Sequence, residues 1–408
     1  MKAAILLTGD EITKGIVKDS NGGYLAERLT ALGFEVQSIV VVPDSKEFIM
    51  REIRNALDRS DLLLITGGLG STFDDITLQS VADYLGRELL YDGNYHSALV
   101  ESFTRRFSRE APTGLKRQAF VIQDSVQLPN SSGSARGAFI RTDSNEIVIL
   151  PGPPMEMEAV FKEALKHISL PSTTFSRTIG FVDLTEPEVE DFTEQMLSKF
   201  TDVKFVTRVR YYSGPTVILT ANDESALEEL CNLFTDRWNK YIYTTSGEEL
   251  VDVVVRELRD RKLTISIAES CSGGRLSALL TSVPGVSTLF PGGIVSYSNK
   301  VKSSLLNVSE NTLRQYGAVS EEVAFEMAAG TEILFGTDVG LSVTGIAGPS
   351  GGSDFKPVGL VCSGIRIGSS IKTYTDRFKG NRETIQLRGA NTVIKRLWRL
   401  LWNEYYIK

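Results

Sequence analysis

The residues best suited to chemistry lie in the C-terminal third of the chain, where a serine follows a predicted strand. The run 268–274 reads AESCSGG, so Ser270 lies at a strand-to-helix turn and two glycines follow it. A hydroxyl at a helix N-terminus is close to free N–H groups and to the positive end of the helix dipole, which stabilise a developing oxyanion. The segment therefore predicts a nucleophilic serine.

A serine nucleophile needs a base, and neither of the chain's two histidines lies in this segment. Tyr297 and Lys302 follow in the next strand-to-helix segment. A lysine that is partly desolvated against a sheet has a pKa low enough to deprotonate serine. We therefore predict Lys302 as the base of Ser270, with Tyr297 relaying the proton or orienting the lysine.

Simpler interpretations of the same residues stay open at this point. Ser270 can be a helix N-cap only, Lys302 an exposed helix residue, and the glycine motif a turn. Cys271 is a rival nucleophile, because a helix N-terminus lowers the pKa of a thiol.

A second glycine-containing loop in the same segment suits a phosphate group. The run 344–349, TGIAGP, directly follows a predicted strand. Glycines at such turns let the backbone approach an anion, and nearby cationic side chains can pair with its charge. We predict that the substrate site of this segment contains Gly273, Gly274, Gly345, Gly348, Lys356 and Arg382.

The N-terminal segment places carboxylates and glycines after two predicted strands. Asp10 and Glu11 follow the first strand, and the run 67–77, GGLGSTFDDIT, follows the third. Carboxylates gathered at one sheet edge repel phosphate unless a divalent cation bridges the two. We predict metal ligands at Asp10, Glu11, Asp74 and Asp75 and a substrate site at Gly67, Gly68, Gly70 and Thr77. In the alternative interpretation the aspartates cap helices and the glycines form a tight turn.

The elements that position these residues alternate between strands and helices. Continuous apolar runs such as 62–66 are typical of strands buried on both faces of a parallel sheet. We predict an α/β protein in which two parallel-sheet-based domains, 1–169 and 247–408, flank a small α+β module at 170–246. This module opens with a linker near 170–176 and contains a hairpin that turns at 213–215.

Composition excludes several classes of function. The 408 residues include 44 Lys and Arg against 51 Asp and Glu, a net charge of −7, which argues against direct nucleic-acid or anionic-membrane binding. Three scattered cysteines and two histidines argue against a disulfide framework, a structural zinc site and a His-based triad. The chain shows neither a signal peptide nor a membrane-length apolar run, so we expect a cytoplasmic protein.

The N-terminal motifs resemble the molybdopterin-binding-like domain of the CinA family. They are the run 67–77 together with KRQA at 116–119, LPN at 128–130 and LPGPP at 150–154. Family members usually read GGLGPTxDDxT, so Ser71 replaces a proline, and NSSGSARG at 130–137 departs from the usual NPxGTAPG. The resemblance implies hydrolysis of ADP-ribose to AMP and ribose 5-phosphate with a divalent metal ion (Mg, Mn or Co). The alternative is a non-catalytic module that binds a pterin or a nucleotide.

The C-terminal motifs look like the CinA C-terminal domain. They are AESCSGG, the run 284–302, YGAVS at 316–320 and SVTGIAGPSGG at 342–352. The resemblance implies deamidation of nicotinamide mononucleotide (NMN) to nicotinate mononucleotide and ammonia without a metal, in pyridine-nucleotide salvage. It assigns Ser270 as the nucleophile, assigns Tyr297 and Lys302 to proton handling, and suggests a homodimer. The alternative is an interaction protein linked to competence or DNA damage.

Overall fold

The structure, a computed structural model, describes residues 1–171, 175–210 and 214–406. The chain divides into two units, Met1–Phe175 and Ser176–Lys408. Residues 172–174 of the predicted linker and Ser213 of the predicted hairpin turn lie outside the described residues. The division into three domains with boundaries at 169/170 and 246/247 stays a prediction.

The first unit alternates strands and helices along its length. Its elements, with a 3-10 helix at Thr113–Ala119, are β1 (Lys2–Thr8), α1 (Asp10–Thr13), α2 (Asn21–Ala31), β2 (Glu35–Val42), α3 (Lys46–Leu57), β3 (Leu62–Thr66), α4 (Thr77–Leu85), β4 (Leu89–Tyr91), α5 (Gly93–Phe107), β5 (Phe120–Ile122), β6 (Val126–Leu128), β7 (Gly137–Arg141), β8 (Glu146–Leu150) and α6 (Pro154–Ala164).

The main sheet of this unit has six strands in the order β2-β1-β3-β8-β7-β6. The first four strands pair in parallel, whereas β7 and β6 pair antiparallel. Apolar side chains on both faces build two hydrophobic clusters, which explains why β3 and β8 are buried throughout. The carboxyl ends of the parallel strands meet at one edge, where ligands bind in such sheets.

The second unit contains two sheets. Its elements, with 3-10 helices at Asn239–Tyr241 and Val286–Thr288, are β9 (Phe175–Phe181), α7 (Glu186–Leu197), β10 (Lys204–Arg210), β11 (Gly214–Ala221), α8 (Glu224–Trp238), β12 (Ile242–Thr244), α9 (Leu250–Asp260), β13 (Ile265–Glu269), α10 (Arg275–Thr281), β14 (Gly292–Val295), α11 (Asn299–Leu306), α12 (Glu310–Tyr316), α13 (Glu321–Phe335), β15 (Val339–Gly345), β16 (Leu360–Ile367), β17 (Ser370–Arg377) and α14 (Arg382–Tyr406).

The five-stranded sheet has the order β14-β13-β15-β16-β17 and carries the predicted catalytic segment. Strands β14, β13 and β15 are parallel, and β16 and β17 extend the sheet as an antiparallel hairpin. The smaller sheet, β10-β11-β9-β12, lies in the region predicted as an α+β module. The predicted α/β class is therefore confirmed, with antiparallel strands added to each parallel core.

Among the residues that the structure describes, no helix is long and apolar enough to cross a membrane.

Candidate active site

Ser270 lies directly after β13, where the sheet ends and the chain turns into α10. The Ser270 N–H donates to the carbonyl of Val343 at 2.9 Å, so the end of β15 holds the serine in place. The residue is 8% exposed. The N-cap of α10 is Gly274, which makes no side-chain cap, so the interpretation of Ser270 as an N-cap is wrong.

Glu269 stabilises the N-terminus of α10 in place of a conventional cap. Its buried carboxylate accepts from the N–H groups of Gly274, Leu276 and Ser277 at 2.8–3.0 Å and from two serine hydroxyls at 2.6 Å. The Gly273 N–H donates to the carbonyl of Ser270 at 3.2 Å. The N–H groups of Gly273 and Gly274 therefore already have acceptors, and these two glycines shape the loop rather than offering it free donors.

Lys302 reaches Ser270 from α11. Its ammonium nitrogen lies 2.9 Å from Ser270 Oγ and donates to the carbonyl of Ser296 at 2.5 Å. The lysine is 1% exposed, so the alternative of an exposed helix residue is wrong. Burial lowers its pKa from 10.5 to about 8, because desolvation disfavours the charged form. The structure thus joins a buried serine to a lysine that is partly neutral near neutral pH.

Cys271 is a poor nucleophile in this environment. Its side chain is buried, and burial raises the pKa of the thiol to about 12. A protonated thiol is not the reactive species. Gly345 packs against the same sulfur, since a Cβ added to Gly345 would lie 2.9 Å from Cys271 Sγ and 2.7 Å from the Leu360 carbonyl. The structure therefore gives Gly345 a packing role beside the serine.

Tyr297 and Arg382 pair with each other. The Arg382 guanidinium donates to the Tyr297 hydroxyl and to the Gly348 carbonyl, both at 2.7 Å. Tyr297 is 62% exposed, and its hydroxyl is hydrogen-bonded to Arg382 rather than to Lys302 or Ser270. A direct proton relay from Tyr297 to Lys302 is therefore not formed in this geometry.

The ammonium group of Lys356 is hydrogen-bonded to backbone carbonyls of another segment. Its ammonium donates to the carbonyl of Val319 at 2.6 Å and also to that of Tyr316. These contacts tie the loop after β15 to the segment between α12 and α13. The structure thus gives Lys356 a structural role, and its contact with phosphate stays a prediction.

The predicted glycine loop of the first unit borders a cavity of about 530 Å³. Gly67, Gly68 and Gly70 all line it. Gly67 and Gly68 have positive φ values of 109° and 64°, and a Cβ on either would lie 2.2 Å from an oxygen of Thr8 or Thr77. Thr77 is fully buried, and its hydroxyl pairs with that of Thr8 at 3.0 Å, so it supports the loop from beneath.

The carboxylates of the first unit are placed differently from the prediction. Glu11, Asp74 and Asp75 line the cavity, but Asp10 pairs with Lys14 at 2.5 Å, one helical turn away. Asp44 lines the cavity instead and accepts from the Asp10 N–H at 3.0 Å. Burial raises the pKa of Asp44, and the neighbouring carboxylates Glu11, Asp10 and Asp74 add to the rise.

A ready-made metal site is not formed by these residues. Within the described ranges, no three His, Cys, Asp or Glu side chains are grouped so that they could hold a metal ion. Asp75 is already engaged by the N–H and hydroxyl of Thr72, at 2.8 and 2.5 Å. A divalent cation fits this donor set only when ligand oxygens complete its shell, as is usual for Mg²⁺ beside phosphates.

Several residues escaped the sequence analysis. Glu269 and Asp44 lie at or just beyond a strand end, which is the signal that singled out Asp10. Ser296 directly follows β14 and carries the same signal, whereas Asn21, at the start of α2, does not. The Asn21 amide oxygen is buried beside the first-unit cavity and has no hydrogen-bond partner among the described residues.

Comparison with known proteins shows which domain families the chain contains. Residues 4–170 match the family described as "Probable molybdopterin binding domain", and residues 247–401 match the family described as "CinA C-terminal domain". The chain is thus an α/β protein that combines these two domains.

Two curated relatives match this chain over nearly its whole length. A CinA-like protein of Thermosipho melanesiensis is 35% identical over 402 residues, covering 98% of this chain and 99% of the relative. A CinA-like protein of Thermotoga maritima is 36% identical over 402 residues, covering 98% of each chain. A crystallised CinA superfamily protein of Klebsiella pneumoniae is 32% identical, with a TM-score of 0.37, and covers 38% of this chain and 96% of that one. The chain belongs to the CinA family.

Proposed function

We propose that the second unit hydrolyses the carboxamide of NMN to nicotinate mononucleotide and ammonia. The observation that carries this proposal is the 2.9 Å contact between Ser270 Oγ and the buried amine of Lys302. A serine paired with a lysine of lowered pKa is suited to acyl transfer. NMN as the substrate rests on the family resemblance of this segment.

The reaction proceeds in two stages. Neutral Lys302 takes the Ser270 proton while Oγ bonds to the carboxamide carbon, and the C=O electron pair moves onto oxygen. Collapse of this tetrahedral state breaks the C–N bond, and the proton on Lys302 passes to the leaving nitrogen as ammonia forms. Water, deprotonated by Lys302, then attacks the ester and releases the acid and the Ser270 hydroxyl.

The developing oxyanion needs an N–H donor from the loop. Gly273 and Gly274 donate within the protein, so the proposal assigns this role to the N–H of Ser272. Removing a single donor of this kind costs about a hundredfold or more in kcat.

The test is ammonia release from NMN by the full chain in the presence of EDTA. Ser270→Ala should abolish release, whereas Ser304→Ala, which alters an exposed serine on the helix of Lys302, should leave it unchanged. Release that survives in a folded Ser270→Ala protein would refute the assignment of the nucleophile. A wild-type protein that releases no ammonia would refute the activity.

Arg382 is proposed to recognise the phosphate of NMN. Of the two cations predicted for this role, Lys356 ties two loops together through two carbonyls, whereas Arg382 is exposed beside Tyr297. Arg382→Met should raise KM for NMN but not for nicotinamide riboside, which lacks the phosphate. An equal change for both substrates would exclude a phosphate contact.

A second activity is proposed for the first unit: hydrolysis of ADP-ribose to AMP and ribose 5-phosphate with a divalent metal ion. The 530 Å³ cavity supports it, because glycine backbone and the carboxylates of Glu11, Asp44 and Asp74 border the same space. When bound, the cation would neutralise the charge of phosphate beside these carboxylates.

The second activity is tested by AMP release from ADP-ribose with Mg²⁺, Mn²⁺ or Co²⁺ and with EDTA. Asp74→Asn should lower the rate, and Asp143→Asn, an exposed aspartate of the same unit, should not. Binding of ADP-ribose without turnover would show a binding module instead of an enzyme.

A further inference from the structure

Arg136 is held rigidly in the loop between β6 and β7. Its guanidinium lies over the Tyr95 ring, with Cζ 3.5 Å from the ring centroid. Nη1 donates to Asp92 Oδ2 at 2.9 Å, and Asp92 in turn caps α5 by accepting from the Tyr95 N–H. The side chain is 15% exposed. Stacking and the ion pair therefore fix the plane and direction of the guanidinium.

The opposite edge of this guanidinium is unpaired. Arg136 Nε and Nη2 are fully buried and have no hydrogen-bond partner among the described residues. These two N–H groups lie on one edge of the planar group, the edge with which arginine holds two oxygens of a carboxylate or phosphate. In the same unit, Arg141 uses this Nε and Nη2 edge on Glu146 Oε1, at 3.0 and 2.7 Å. Leaving such donors buried and unpaired is costly in free energy.

A small cavity of about 30 Å³ lies beside Arg136. A space of this size admits a water-sized group. Gly68, Gly70 and Gln118 line both this cavity and the 530 Å³ cavity, so the two adjoin. A ligand in the larger cavity therefore lies next to the space that Arg136 borders.

Gln118 adds a second unpaired group. Its Oε1 is buried without a partner among the described residues. Since the amide oxygen and nitrogen of glutamine exchange places by a simple rotation, Gln118 can turn its NH₂ toward an oxyanion. Asp75 also borders the small cavity, but its carboxylate is engaged by two donors from Thr72.

We propose that Arg136 and Gln118 form an oxyanion subsite that binds a phosphoryl or carboxylate group of a ligand whose body occupies the 530 Å³ cavity. Arg136 stands where the usual motif of the resembled family has proline. It concerns binding and does not rest on either hydrolytic activity.

The experiment is calorimetric titration of the full chain with two matched pairs of probes. AMP against adenosine tests a phosphoryl group, and nicotinate against nicotinamide tests a carboxylate. The wild type should bind the charged member of one pair more tightly, and that pair identifies the oxyanion. Arg136→Met should weaken the binding of this charged probe by about ten- to a hundredfold and leave the binding of its neutral partner unchanged. Arg106→Met, which removes an exposed arginine of the same unit, should have no effect.

Two results would overturn the proposal. One is that the wild type binds charged and neutral members equally. The other is that Arg136→Met weakens both members of a pair equally, as expected if the residue only braces Tyr95 and Asp92. Should Arg136→Met fail to fold, Arg136→Lys keeps the charge but loses the two-donor edge. It should then bind the charged probe less tightly than the wild type, and unchanged binding refutes the proposal.

Discussion

Lys302 makes two contacts from a buried position, one to the Ser270 hydroxyl and one to the Ser296 carbonyl. Both partners accept a hydrogen bond, and no carboxylate is among the causes of its pKa shift, which is dominated by burial. The lysine therefore has a pKa of about 8 and can exchange a proton with serine near neutral pH. Two predictions follow at the scale of this residue.

The first concerns the pH dependence of ammonia release. The base must be neutral, so kcat/KM should rise about tenfold per pH unit below pH 8 and level off above it. Lys302→Arg should abolish activity at every pH up to 10, because the guanidinium stays charged. A profile that is flat between pH 6 and 8 would contradict Lys302 as the base.

The second concerns stability. Between pH 8 and 10.5 the unfolded chain binds a proton at Lys302 that the folded chain does not, so stability rises with pH across that window. Relative to Lys302→Met, the wild type should gain about 2 kcal/mol of unfolding free energy between pH 7 and 9.5. Urea unfolding followed by tryptophan fluorescence measures this in the second unit, because all three tryptophans, Trp238, Trp398 and Trp402, lie there.

The control for the stability prediction is Lys300→Met, which alters an exposed lysine on the same helix. Its unfolding free energy should follow that of the wild type at both pH values. Parallel behaviour of the wild type and Lys302→Met would mean that Lys302 keeps an ordinary pKa in the folded protein.

At the scale of elements, the junction of β13 and α10 depends on one carboxylate. Glu269 accepts three backbone N–H groups of the α10 end and two hydroxyls, so it neutralises the helix terminus and sets the turn that presents Ser270. The end of the adjacent strand β14 is hydrogen-bonded to the end of β13, because the Ser296 N–H donates to the Glu269 carbonyl at 2.7 Å. The serine and the lysine are thus positioned by a shared strand end.

Glu269→Gln tests this junction. An amide offers one acceptor oxygen and turns its NH₂ toward backbone donors, so the unfolding free energy should fall by about 3 kcal/mol. Ammonia release should fall with it, because the Ser270 turn loses its support. Glu322→Gln, at an exposed glutamate in the first turn of α13, is the control. If the Glu269→Gln protein were as stable and active as this control, the proposed role of the Glu269 carboxylate in supporting the turn would be wrong.

At the scale of the whole molecule, each unit has hydrophobic clusters made from its own residues. Two clusters lie within the first unit, and the largest cluster of the second runs from Val182 to Leu401. A unit with its own core is able to fold by itself. The two proposed activities should therefore be separable.

A chain that begins at Ser176 tests the separation. It should release ammonia from NMN with a kcat/KM within about threefold of the full chain, because Ser270, Lys302 and their supports all lie in the second unit. The full-length Asp74→Asn variant, altered only in the first unit, should match the wild type in this assay. A folded but inactive fragment would show that the first unit contributes to the deamidase site.

Local sequence patterns determined the class of fold and the positions of key elements. The run 62–66 is a strand with the predicted bounds. Ser270 was predicted at a strand-to-helix turn, and it directly follows β13. Such patterns are readable because periodicity and turn chemistry depend on residues that are neighbours in the chain.

Only the tertiary structure decided which of these residues meet and which are engaged elsewhere. Sequence patterns left open whether Lys302 is buried against Ser270 or exposed. They could not tell that Lys14 engages Asp10 while Asp44 lines the cavity, or that two carbonyls hold Lys356. Nor could they show the unpaired edge of Arg136. Burial, pKa and hydrogen-bond partners depend on the distant segments that pack around a side chain, and that information arises only when the sheets assemble.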